Sequence, residues 1–101
     1  MEAPRDVLGE LQGWFLAHCN GDWEHSHGVS IATLDNPGWS IEINLEQTEV
    51  ATHSFPHTEE HRTDDDWIVC WQEDTTFRSA CGPLNLTETL TIFLNWADRP
   101  S

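Results

Sequence analysis

Asp22, Glu24, His25 and Asp35 are the residues whose types and spacing could carry chemistry. Two carboxylates and an imidazole in four positions, with a third carboxylate nearby, make a general acid–base set if the fold gathers them. They define one possible function, a small enzyme or metal-binding domain. A second set is rich in histidine. His25 and His27 lie two apart, on one side if the segment is a strand. His53, His57 and His61 recur every four residues, beside Glu59 and Glu60. Imidazole and carboxylate suit zinc-type ions. Pro56, however, breaks any helix that would align the trio, and no His-Glu-x-x-His occurs.

The bland reading is preferred for both sets. Asp22 and Asp35 are expected to satisfy turn amides, and Glu24 and His25 to form a local hydrogen-bonded pair. No Gly-x-Ser-x-Gly is present, and nothing around Cys19, Cys70 or Cys81 marks a nucleophile. The glycines form neither a P-loop nor a dinucleotide fingerprint. No catalytic residue, no metal and no cofactor are therefore assigned.

The elements that must position these residues follow from periodicity. Val7, Leu8, Leu11, Trp14 and Phe15 recur at three- and four-residue steps, which predicts a helix over 6–19. Asp6 suits its N-terminus, and Asn20-Gly21 its end. Residues 23–34 alternate, with Trp23, His25, His27, Val29, Ile31 and Thr33 on one face. Asp35-Asn36-Pro37-Gly38 reads as a turn with proline at its first central position and glycine at positive φ. Trp39, Ile41, Ile43 and Leu45 then alternate, so the two runs pair as a hairpin. A weaker strand is expected over 49–55, an exposed loop from His57 to Asp66, a strong strand from Trp67 to Gln72 and a short one over 75–80. Asn85 with Glu88 resembles a capping box for a second helix, running to Asp98. The fold class is α+β: an antiparallel sheet of four to five strands, with N- and C-terminal helices packed on one face. A chain of 101 residues is expected to form one domain, 1–101.

Charge narrows the partners. There are 18 acidic residues against four arginines and no lysine, a formal net charge of −14. That excess disfavours nucleic-acid backbone and anionic membrane. It favours a basic protein partner, whose approach the field would steer. The opening Met1 to Asp6 lacks the basic and apolar run of a secretory signal. No apolar segment approaches the ~20 residues needed to span a bilayer. A cytoplasmic protein with reduced thiols is expected. Trp14, Trp67 and Trp71 are placed in the core. Trp23 and Trp39, at the ends of the hairpin, are expected to be half exposed, and such indoles beside carboxylates make interface anchors.

Two blocks are unusual. Cys19-Asn20-Gly21-Asp22-Trp23-Glu24-His25 and Thr33-Leu34-Asp35-Asn36-Pro37-Gly38-Trp39 together resemble the immunity protein 53 family of bacterial polymorphic toxin systems. Leu11-Gln12-Gly13-Trp14, Gly28, Ile31, Asp66-Trp67-Ile68 and the closing run from Leu86 to Trp96 strengthen the likeness, which covers nearly the whole chain. The resemblance implies a cytosolic protein that neutralises a cognate toxin by direct contact, without catalysis; charge adds that the toxin is basic, as a nuclease would be. The partner-binding residues expected on this reading are Asp22, Trp23, Glu24, His25, Asp35, Trp39, Glu59, Glu60, Asp64, Asp65 and Asp66. Within that set, the shared blocks would maintain the fold, while acidic loops such as Glu59 to Asp66 would choose the partner.

Overall fold

A computed structural model of the chain describes residues 5–98. Helix α1 spans Val7–His18 and is capped by Asp6, whose carboxylate accepts the Gly9 amide at 3.0 Å. A one-turn helix α2 covers Trp23–Ser26. Five strands follow: β1 Val29–Leu34, β2 Gly38–Asn44, β3 Thr58–Thr63, β4 Asp66–Glu73 and β5 Thr76–Cys81. Helix α3, Leu86–Ala97, closes the described chain. The strands form one antiparallel sheet in the order β1-β2-β5-β4-β3. The α+β class, the five-stranded sheet and the terminal helices are as expected from sequence.

Register explains the core. Ile41 pairs with Ser79, Ser79 with Cys70, Ile43 with Phe77, and Cys81 with Ile68. All of these side chains therefore point to one face, and all are buried. Phe93 of α3 lies over Phe77 with ring centres 5.1 Å apart, and Trp14 of α1 meets Phe93 edge-on at 5.2 Å. Both helices thus cover the same face. The opposite face carries Ser40, Glu42, Arg78, Ala80, Trp67, Val69 and Trp71, an arrangement an antiparallel sheet tolerates because one side can meet water. Cys70 and Cys81 are buried free thiols, and Cys19 is half-buried.

Several local expectations need correction. Residues 23–26 are helical, not strand. The 49–55 segment is a run of turns instead of a strand. Thr48, Ala51 and His53 donate their amides to Leu45, Thr48 and Val50, three residues back in each case. Its apolar residues Val50 and Phe55, with Leu45 just before it, sink into the core at five-residue intervals that no strand face could supply. The polar stretch after His57 contains strand β3, whose residues after Thr58 are exposed because it is an edge. The β1–β2 turn contains a cis Asn36–Pro37 bond, and Gly38 belongs to β2, paired with Leu34. Glycine is needed there for space: a Cβ would collide with the Cys81 carbonyl. Asn85 precedes α3 but makes no side-chain cap. Its side chain instead accepts the Trp67 amide and donates to Asp66 and Glu88, so the helix start is tied to β4. Trp67 and Trp71 are half-buried on the open face, not in the core, whereas Trp96 is buried.

Candidate partner-binding surface

The Asn20–His25 block is a knot of backbone bonds. The Asn20 side-chain oxygen accepts the amides of Asp22 and Trp23 at 3.0 and 2.9 Å. Glu24 reaches back and accepts the amides of Asn20 and Gly21 at 2.9 and 2.8 Å. These reciprocal bonds coil the chain at Trp23, while Gly21 takes a φ of +92°, open to glycine at no steric cost. The backbone bonds hold the Glu24 carboxyl below the usual carboxylate range. Trp23 is swung inward: it is 1% exposed, touches Trp14 and Phe15, and donates its indole N–H to the Glu46 carbonyl at 2.8 Å. The half-exposed indole expected from sequence is thus a core residue. Asp22 and His25 remain exposed.

The acid–base constellation is not assembled. Asp22, Glu24 and His25 precede β1, and Asp35 follows it. A six-residue strand separates them, about 20 Å at ~3.3 Å per residue. The groove of about 430 Å³ on the open sheet face is bounded by Ser30, Glu42, Asn44, Thr76 and Arg78, and includes none of the four. His57 and His61 both engage Glu59, at 3.1 and 2.7 Å, on different carboxylate oxygens. Those bonds, that from His61 first, hold the Glu59 carboxyl below its ordinary range. Among the described residues no group of three His, Cys, Asp or Glu side chains is placed to hold a metal ion. Burial pushes the Cys70 thiol up to about 11, so it stays protonated at neutral pH.

The structure places Asp35, Trp39, Asp64, Asp65 and Asp66 at the other end of the sheet. Asp35 lies in the exposed β1–β2 turn, and Asp64 and Asp65 in the exposed β3–β4 turn. Asp65 lies against Gly82 and Gly38 against Cys81, so both turns and the β5–α3 connection share this end. Asp66 is half-buried and is held by Asn85 and Arg62. Trp39 is half-buried and donates its indole N–H to the Pro83 carbonyl at 3.0 Å. Glu59 and Glu60 lie exposed along β3. Sequence reasoning missed Leu84, which stands 90% exposed in the same cluster of turns. The neighbouring Gly82-Pro83 break signalled a turn but not that the leucine after it would face water.

Charge is distributed accordingly. Among the described residues every carboxylate is exposed except Glu24 and Asp66, which are half-buried. The described arginines are already occupied. Arg5 binds Glu10 at 2.7 Å, Arg62 binds Asp66 and Glu88 at 3.1 and 2.9 Å, and Arg78 donates to Glu42 at 2.6 Å. The charge left over is anionic at both ends of the sheet.

Fold and surface together define a small acidic α+β protein whose most distinctive sequence block is spent on holding the chain together. The model of the immunity protein 53 family matches residues 8–98, and the chain belongs to that family. No curated protein and no solved structure matches it. Family membership points to a role other than catalysis and to a toxin as the partner.

Proposed function

We propose that this protein forms one domain that neutralises a cognate, basic toxin domain in the cytoplasm by binding it directly and covering its working surface. One observation carries the reading. The described cations are consumed by internal ion pairs, so nearly all of the uncompensated surface charge is negative. Such a field accelerates the approach of a basic partner and discriminates against acidic ones. The contact surface takes in Asp35, Asp64 and Asp65, with Leu84 as an apolar anchor among them and Glu59 and Glu60 on the flank. Asp22 and His25 contribute from the opposite end. Trp23 and Glu24 act through the fold they hold. Nucleic acid and anionic membrane do not fit this charge, and no described helix is long and apolar enough to cross a membrane.

The test is association with the cognate toxin domain, followed by stopped flow at low and high salt. The association rate is expected to fall steeply as salt screens the field, with a smaller change in dissociation. A toxin that fails to co-purify, or whose toxicity persists on co-expression, would overturn the proposal.

A further inference from the structure

Among the five strands, β1 alone carries no charged side chain: Val29-Ser30-Ile31-Ala32-Thr33-Leu34. It is also an edge strand, and its middle four residues are exposed. Exposed edges are normally protected by charge, proline or a bulge, since a bare edge is a template for another strand. The other edge, β3, has such protection: Glu59, Glu60, His61 and Arg62, with a register shift between His61 and Thr63. Edge β1 has none, and it keeps regular register with β2 along its whole length.

The hydrogen-bond parity of this edge follows from one bond. Asn44 donates its amide to the Gly28 carbonyl at 2.9 Å, so Gly28 and Asn44 are a hydrogen-bonded pair of the ladder. Antiparallel pairs alternate. Ser30, Ala32 and Leu34 therefore bond to β2, and Val29, Ile31 and Thr33 turn N–H and C=O outward. Among the described residues nothing receives them. Ile31 adds a 37% exposed apolar side chain beside these free groups.

We infer that β1 is a docking edge at which an extended segment of the basic toxin adds a sixth strand. The inference rests on the toxin-binding reading above. Charge selects the occupant. β1 runs between the exposed Asp22 at one end and the exposed Asp35 at the other. A segment with arginine or lysine flanking an apolar centre finds acids at both ends and Ile31 in the middle. A second copy of this chain would have to approach against the repulsion between two molecules that each carry a formal charge of −14. Main-chain bonds would supply binding, and the flanking charges specificity.

Three measurements test this with the full chain and an inactivated form of the toxin domain. Amide exchange is expected to slow at Val29, Ile31 and Thr33 on toxin binding, in alternation with Ser30 and Ala32, which are already bonded to β2. Thr33→Pro removes an outward donor and leaves the bonds to β2 in place, as proline is tolerated at such edge positions. Ile31→Lys alters only a side chain. Each is expected to weaken binding by about tenfold to a hundredfold with a near-normal melting temperature. If wild type binds the toxin but neither variant weakens it, and the alternating protection is missing, the edge assignment is overturned while toxin binding stands. If wild type does not bind the toxin, the functional reading falls and takes the edge with it. A wild-type dimer that Thr33→Pro turns into a monomer would assign the edge to a second copy and overturn the toxin segment as its occupant.

Discussion

The two edges of the sheet are built to opposite specifications. β3 is charged, bulged and tied by Arg62 to Asp66 and to Glu88 of α3. β1 is uncharged and regular. Both are equally peripheral in the ladder, so position alone does not dictate composition. A chain with 18 carboxylates had ample means to charge β1, and the strand is nevertheless Val, Ser, Ile, Ala, Thr and Leu. An acidic chain can leave one edge bare because net charge of one sign makes its copies repel one another.

The largest effect is expected from a change that does not distinguish the edges. Phe77 is fully buried in central strand β5, against Phe55 and Phe93. Phe77→Ala should cost about 3–5 kcal/mol by chemical denaturation. Amide protection should fall at β1 and β3 together. Protection lost at one edge only would mean that the halves of the sheet open independently.

A smaller, one-sided effect is expected at the entry to β1. Asn20→Ala frees the amides of Asp22 and Trp23 and should cost about 1–2 kcal/mol. Exchange should quicken at Trp23–Ser26 and the start of β1, with β3 unchanged. Equal quickening at β3 would contradict the view that the Asn20–Glu24 knot serves the β1 side.

Weaker still is the consequence of unpairing β3. Arg62→Ala should leave the melting temperature almost unchanged, because the ion pairs it removes are solvent-exposed. What difference there is should vanish in high salt. Toxin binding should survive, which sets this edge apart from Ile31→Lys.

The smallest expected signal is a titration. The Glu59 carboxyl is held below its ordinary range by His61 and then His57. A depressed carboxylate contributes stability that is fully present above the ordinary carboxylate pKa. That contribution is lost as pH falls through the lowered, folded-state value. Side-chain NMR should place the Glu59 midpoint below that of an unpaired glutamate, and His57→Gln with His61→Gln should return it. An unshifted wild-type midpoint would show that β3 lacks this local tie.

Much of this architecture was legible in the sequence, for identifiable reasons. Val7, Leu11 and Trp14 mark α1, and Leu90, Phe93 and Leu94 mark α3, because helix burial repeats every three to four residues. Ile41/Ile43 and Ile68/Cys70 alternate because those strands have one buried face. The failures lie where backbone bonding, not burial, decides the structure. Trp23-Glu24-His25-Ser26-His27 alternates like a strand, but Asn20 and Glu24 capture four amides and coil it. β3 reads as a loop because an edge strand beyond the helices buries almost nothing. The candidate acid–base set failed for a geometric reason: Asp35 falls at the opposite end of β1 from Asp22, Glu24 and His25. The bareness of β1 was visible in its composition, but that it is an edge emerged only with the strand order.

One consequence of that order concerns the seam between β2 and β5. Helix α1 with β1 and β2 forms one half, and the β3-β4-β5 meander with α3 forms the other. They are joined in the chain only by the turns between Leu45 and Phe55. A cut near residues 51–53 is therefore expected to give two fragments that recombine through the six β2–β5 register positions and the helix contact. The molecule would thus be available as a complementation pair, each piece carrying one of the contrasting margins.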